Sequence, residues 1–97
     1  MFIPAEWPKQ RMDYWQLLLQ VRAIENQMYV IGVNRIGTDQ NNEFNGHSMV
    51  IAPWCELLAH RQTNEGIFYA QLDLQEEERV RNTIPVFQDR RPELYFK

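Results

Sequence analysis

The sequence predicts an α+β fold, and three observations carry that prediction. Short apolar or β-branched runs recur between turn residues, one stretch near the start has sustained helical periodicity, and a shorter helical pattern follows the last strand-like run. Arranged along the chain they give the order β-α-β-β-β-β-α, followed by a tail. No internal repeat or low-complexity segment interrupts it.

Residues 2–5 are short and apolar and read as a strand. Glu6-Trp7-Pro8-Lys9 forms a loop, because the residue before a proline is pushed out of the helical region. From about residue 11 to residue 26 the pattern is helical, roughly 24 Å of helix. Asp13 and Gln16 have the spacing of a capping box. Leu17, Val21, Ile24 and Met28 form its apolar stripe, widened by Trp15, Leu18 and Leu19, so burial on more than one side is expected.

Residues 29–33 are almost wholly apolar, as in a strand covered on both faces. The polar stretch 34–47 reads as a long loop, functional or disordered. Residues 48–52 and 57–60 are strands joined through the turn Pro53-Trp54-Cys55-Glu56. A polar turn over 61–66 leads to a further strand at 67–72. Asp73 and Glu76 then have capping-box spacing for a helix that ends near residue 82, before Pro85. The charged tail carries Leu94, Tyr95 and Phe96 and is expected to dock on something.

Ninety-seven residues make one small domain, and 44% hydrophobic content suffices for a core. The net charge is −3 and the basic residues are scattered, which argues against nucleic acid. No apolar run is long enough for a membrane-spanning helix. The start lacks the basic and apolar segments of a signal peptide, and the single cysteine, Cys55, allows no internal disulfide. A cytoplasmic location is the expectation.

Catalytic candidates are few. A cysteine nucleophile needs a base to make its thiolate, and His47 or His60 could serve Cys55, but no spacing supplies a third, orienting group. Two histidines and one cysteine match no metal-ligand spacing, so neither metal nor cofactor is expected. Glu76, Glu77 and Glu78 sit in the first turn of the second helix, where negative charge favours the dipole. Glycines 32, 37, 46 and 66 are too dispersed to cradle a phosphate. The residues show no complete catalytic constellation.

Several stretches in order do resemble a known family. Ala5-Glu6-Trp7-Pro8, Tyr14-Trp15 and Arg22-Ala23-Ile24-Glu25-Asn26-Gln27 open the pattern. Val33-Asn34-Arg35-Ile36-Gly37-Thr38-Asp39 and Gly46-His47-Ser48-Met49-Val50-Ile51-Ala52-Pro53-Trp54 continue it. Ile84-Pro85-Val86-Phe87 and Asp89-Arg90-Arg91-Pro92-Glu93-Leu94-Tyr95 close it. Together they resemble the C-terminal portion of a carbon–nitrogen hydrolase of the nitrilase superfamily, nearest the ω-amidase-like bacterial members.

The resemblance implies part of a four-layer α-β-β-α sandwich that dimerises face to face and hydrolyses small amides through a thioester. Its chemistry uses a Glu base, an oxyanion-stabilising Lys and a Cys nucleophile. With Met1 four residues before Ala5, that triad is expected upstream of Met1, and the chain alone is expected to be inactive. A homodimer or a complementing N-terminal half is the implied partner. The resemblance puts Glu6 and Trp7, with Asn34 and Arg35, beside the substrate pocket. The competing reading makes Trp7 a packing residue and Arg35 half of a local pair. Cys55 stands in a P-W-G-E turn where the family usually has glycine, so a left-handed turn would be strained by it.

Overall fold

The computed structural model describes residues 1–61 and 63–96. Four strands form one sheet in the order β1-β2-β5-β6: β1 (Phe2–Ala5), β2 (Val30–Asn34), β5 (Ser48–Ile51) and β6 (Leu57–Arg61). β1 pairs with β2 in parallel, and the remaining pairs are antiparallel. The crossover between the parallel strands is α1 (Met12–Asn26), about 22 Å of helix lying on one face of the sheet.

Helix α1 starts from a 3-10 turn, Lys9–Arg11, whose Lys9 carbonyl accepts the Met12 N–H. That bond replaces the expected capping box, and the helix has no side-chain cap. At the other end Gln27 turns left-handed, φ 49°, and the Met28 N–H reaches back to the Ala23 carbonyl at 3.2 Å.

The core is the α1–sheet interface. Trp15, Leu19 and Ala23 recur every fourth residue and bury against Val30, Met49 and Ile51. Register places Ile3, Gly32, Met49 and His60 in one row beneath the helix. Gly32 sets the approach. A Cβ there would stand 2.6 Å from Leu19 Cδ1 and 2.9 Å from Trp15 Cζ2, so the helix rests on bare backbone.

The stripe expected to be core is turned outward. Leu17, Val21 and Ile24 are exposed together with Tyr14 and Leu18. The opposite sheet face also has large apolar groups in water, with Phe2 76% and Val33 49% exposed. The molecule is a slab 17 Å thin, and its radius of gyration is 16.0 Å, against roughly 12.5 Å for a compact chain of this length. Its accessible surface, 7034 Å², exceeds the roughly 5900 Å² typical at this size.

Two expected elements differ. The polar stretch 34–47 contains a hairpin, β3 (Ile36–Thr38) with β4 (Glu43–Asn45), rather than an irregular loop. Its turn is built by Asp39, whose Oδ1 accepts the N–H groups of Asn41 and Asn42 at 2.9 and 2.8 Å. Those two bonds hold the Asp39 carboxyl below its ordinary pKa. Conversely, residues 67–72 make no strand. Ile67 and Tyr69 are 77% and 87% exposed, and without a ladder partner β propensity alone does not hold a strand.

Helix α2 (Gln75–Thr83) docks on the end of α1 through polar bonds. Arg81 donates to the Gln27 and Asn26 carbonyls, Gln27 Nε2 to the Ile84 carbonyl, and the Tyr29 N–H to Glu77. Asp73 accepts from the Gln75 N–H at 3.1 Å, but Glu76 pairs with Arg79 instead of closing a capping box. The tail forms the short helix α3 (Pro92–Tyr95), with Leu94, Tyr95 and Phe96 exposed.

The turn after β5 is left-handed at Cys55, φ 82°, as the family glycine would allow. Its N–H donates to the Ala52 carbonyl, and its carbonyl accepts Gln20 Nε2, so the turn is anchored to α1. A non-glycine residue there costs about 1–2 kcal/mol. Cys55→Gly is therefore expected to raise stability by about 1 kcal/mol, after the added freedom of glycine in the unfolded chain is subtracted. Urea unfolding checks this; a destabilised variant would show that the thiol packs favourably enough to outweigh the strain.

Candidate functional site

The four residues singled out by resemblance converge where the parallel strands β1 and β2 end side by side. In open sheets with parallel strands, ligand crevices form outside these carboxyl ends. Ala5 is in register with Asn34, and the Arg35 N–H donates to the Ala5 carbonyl at 3.1 Å.

Asn34 is buried and fully engaged. Its Oδ1 accepts the Trp7 N–H at 2.6 Å, while Nδ2 donates to the Trp7 and Gly46 carbonyls at 3.0 and 2.9 Å. Its backbone N–H donates to Ser48 Oγ at 2.9 Å. One amide thus ties together the loop after β1, the end of β2 and the entry to β5. Trp7 rests on Trp15 with ring centroids 5.8 Å apart, and its indole N–H donates to the Arg11 carbonyl.

Glu6 and Arg35 stand outside this clasp. Arg35 Nη1 lies 3.2 Å from Glu6 Oε1, Nη2 donates to the Thr38 carbonyl, and the guanidinium sits 4.7 Å from the centre of the Phe44 ring. The pair is solvent-accessible, with side chains 37% and 70% exposed, so its contribution to stability is at most about 1 kcal/mol. It presents one cation and one anion beside an apolar ring. A cleft of about 210 Å³ opens next to Val33, Asn34, Ile36, Ser48 and Phe68.

The structure therefore brings Glu6, Trp7, Asn34 and Arg35 into one cluster. It divides them into an inner positioning pair, Trp7 and Asn34, and an outer charged pair. Ser48 and Gly46 complete the cluster, although along the sequence nothing beyond the motif Gly46-His47-Ser48 marks them. The backbone N–H that engages the Ser48 hydroxyl belongs to Asn34, fourteen residues away, so only the turn-back through β3 and β4 reveals the contact.

The histidines considered as bases for Cys55 face each other instead, with His47 Nδ1 3.2 Å from His60 Nε2. Burial, and secondarily the His60 ring, hold His47 below the ordinary histidine pKa. Among the described residues no three of His, Cys, Asp and Glu cluster as metal ligands.

The sequence profile of the carbon-nitrogen hydrolases matches residues 5–82. The chain belongs to the carbon-nitrogen hydrolase family. The match contains the whole cluster at the ends of β1 and β2.

Relatives agree with this. The chain is 52% identical over 95 residues to the 2-oxoglutaramate amidase of Bacillus subtilis (strain 168), covering 98% of this chain and 37% of the amidase. Its fold superposes on Saccharomyces cerevisiae Nit3, a member of branch 10 of the nitrilase superfamily, with TM-score 0.81 and 31% identity, over 94% of this chain and 34% of Nit3. The Caenorhabditis elegans NitFhit protein gives TM-score 0.83 and 33% identity, over 97% of this chain and 24% of that one. The mixed α+β architecture expected from the sequence is thus that of nitrilase-superfamily proteins. This carbon-nitrogen hydrolase chain spans about a third of the length of the amidase it matches. Among the described residues no helix is long and apolar enough to cross a membrane.

Proposed function

We propose that this chain is the C-terminal portion of a cytoplasmic amidase that cleaves the C–N bond of a small ω-amide of the 2-oxoglutaramate type, and that it is inactive by itself. The observation that carries the reading is the slab with apolar surface in water on both sides, in a chain about half identical to an amidase nearly three times as long. In the full enzyme the outer sheet face, with Phe2 and Val33, packs against the remaining two-thirds of the protein.

The family reaction attacks the amide carbonyl with a cysteine thiolate, expels ammonia after protonation, and hydrolyses the resulting thioester with water. Lysine stabilises the oxyanion and glutamate moves the protons. In this reading the chain supplies pocket wall rather than chemistry: Trp7 positioned by Asn34, and the Glu6–Arg35 pair at the rim. The guanidinium is suited to the carboxylate of such a substrate, which would compete with Glu6 for it.

A second reading, a dimerisation module that kept the fold without the chemistry, draws on the exposed stripe of Tyr14, Leu17, Val21 and Ile24. Ammonia release from 2-oxoglutaramate separates the two. We expect none from the chain alone, and release on mixing with a polypeptide carrying the remaining two-thirds of the Bacillus amidase. Cys55→Ser should leave that activity unchanged. Release by the isolated chain that Cys55→Ser abolishes would refute the proposal. A stable homodimer that ignores the complementing polypeptide would favour the second reading.

A further inference from the structure

The two histidines are held together by the core rather than meeting by free rotation. His47 adopts a left-handed backbone, φ 60°, directly after left-handed Gly46, φ 77°. Its carbonyl accepts the Trp15 indole N–H at 2.7 Å, so the most buried aromatic of α1 fixes the residue. His60 lies on β6, in register with Met49, on the face that α1 covers. The ring centroids are 5.3 Å apart and the planes are tilted by 36°. Both rings line an open cleft of about 390 Å³, whose walls also carry Met12, Asp13 and Gln16.

The separation of 3.2 Å between Nδ1 and Nε2 fits both an N–H···N bond and a shared metal ion. Imidazole nitrogens at 2.0–2.1 Å from a tetrahedral ion stand roughly 3.3–3.4 Å apart, so little movement is needed to chelate. With the protons on His47 Nε2 and His60 Nδ1, two lone pairs face the same small space and call for a cation between them. Imidazole ligands select the zinc, nickel and copper class over magnesium and calcium, which require oxygen.

The geometry points to His47 Nδ1 and His60 Nε2 as a two-imidazole chelate for one divalent transition-metal ion, with water filling the open positions on the cleft side. Among the described residues no third protein ligand joins them, so the site is open and exchangeable rather than structural. It lies at the β5–β6 edge and owes nothing to the amidase reading.

Zn2+ titration of the full chain, followed by competition with a chromophoric chelator and by the imidazole proton resonances, tests this. One ion per chain is expected, perturbing both rings together. His60→Gln, on an exposed edge position, and His47→Asn, which tolerates the left-handed backbone, should each raise the dissociation constant tenfold or more. Cys55→Ser should leave it within twofold, and Mg2+ should not compete. Circular dichroism confirms that each variant is folded, and His60→Gln alone decides the matter if His47→Asn is not. Absence of Zn2+ binding, binding unchanged in His60→Gln, or binding lost in Cys55→Ser would overturn the proposal and leave a simple N–H···N bond.

Discussion

Trp15→Ala is expected to remove the cooperative unfolding transition of the isolated chain at 25 °C, or to leave only a remnant of it. Trp15 is 3% exposed, lies against Gly32 and Trp7, and donates its indole N–H to the His47 carbonyl at 2.7 Å. Truncating a buried tryptophan costs about 3–5 kcal/mol, and leaving a carbonyl unpaired adds about 1 kcal/mol or more. A domain of this length has roughly 5–15 kcal/mol in total, and one with uncovered apolar faces belongs at the lower end. Trp15→Phe keeps most of the packing and should cost about half as much. Urea unfolding monitored by circular dichroism reads both. A Trp15→Ala variant within 1 kcal/mol of the parent would mean that the α1–sheet interface is not the core.

The second large effect is at Asn34. Asn34→Leu keeps the volume but strips partners from the Trp7 N–H, the Trp7 carbonyl and the Gly46 carbonyl. At about 1–3 kcal/mol for each group left without a partner, partly relieved by water, the loss should be about 3 kcal/mol. Asn34→Asp is the more diagnostic change. It keeps the acceptor for Trp7 N–H but, when ionised, sets a carboxylate oxygen against two carbonyls. Its folded pKa must therefore rise above the unfolded value near 4, and its deficit relative to the parent should grow as pH climbs past that value. A deficit independent of pH between 4 and 8 would show that the clasp is not the amide network described here.

Much of the layout was legible beforehand. β1, α1 and the β5–β6 hairpin follow from apolar runs and turn residues, since local signals fix them. The family followed from ordered motifs. What was not legible depended on contacts across distance. Periodicity marked Leu17, Val21 and Ile24 on α1 as the main stripe and Trp15 and Leu19 as its flank, and only the sheet decides that the flank, continued by Ala23, is the buried side. The β3–β4 hairpin hid in a polar stretch because its signal is a single aspartate folding back on two amides. At 67–72 the opposite happened, since side chains suited to a strand met no neighbouring strand. Glu6, Trp7, Asn34 and Arg35 could be placed together only through resemblance, and the split between clasp and exposed pair needed the hydrogen bonds.

The bare backbone at Gly32 has a consequence for how such a chain can drift. The space that its missing side chain would occupy is filled by Leu19 and Trp15, so these positions share one volume. A methyl group at 32 is admissible only if the helix side gives up comparable bulk, and a smaller residue at 19 leaves a void unless 32 grows. Neither change is neutral first. Mutational paths through this interface must therefore pass through a less stable intermediate or move both partners at once, which makes the glycine and its two neighbours a single heritable unit.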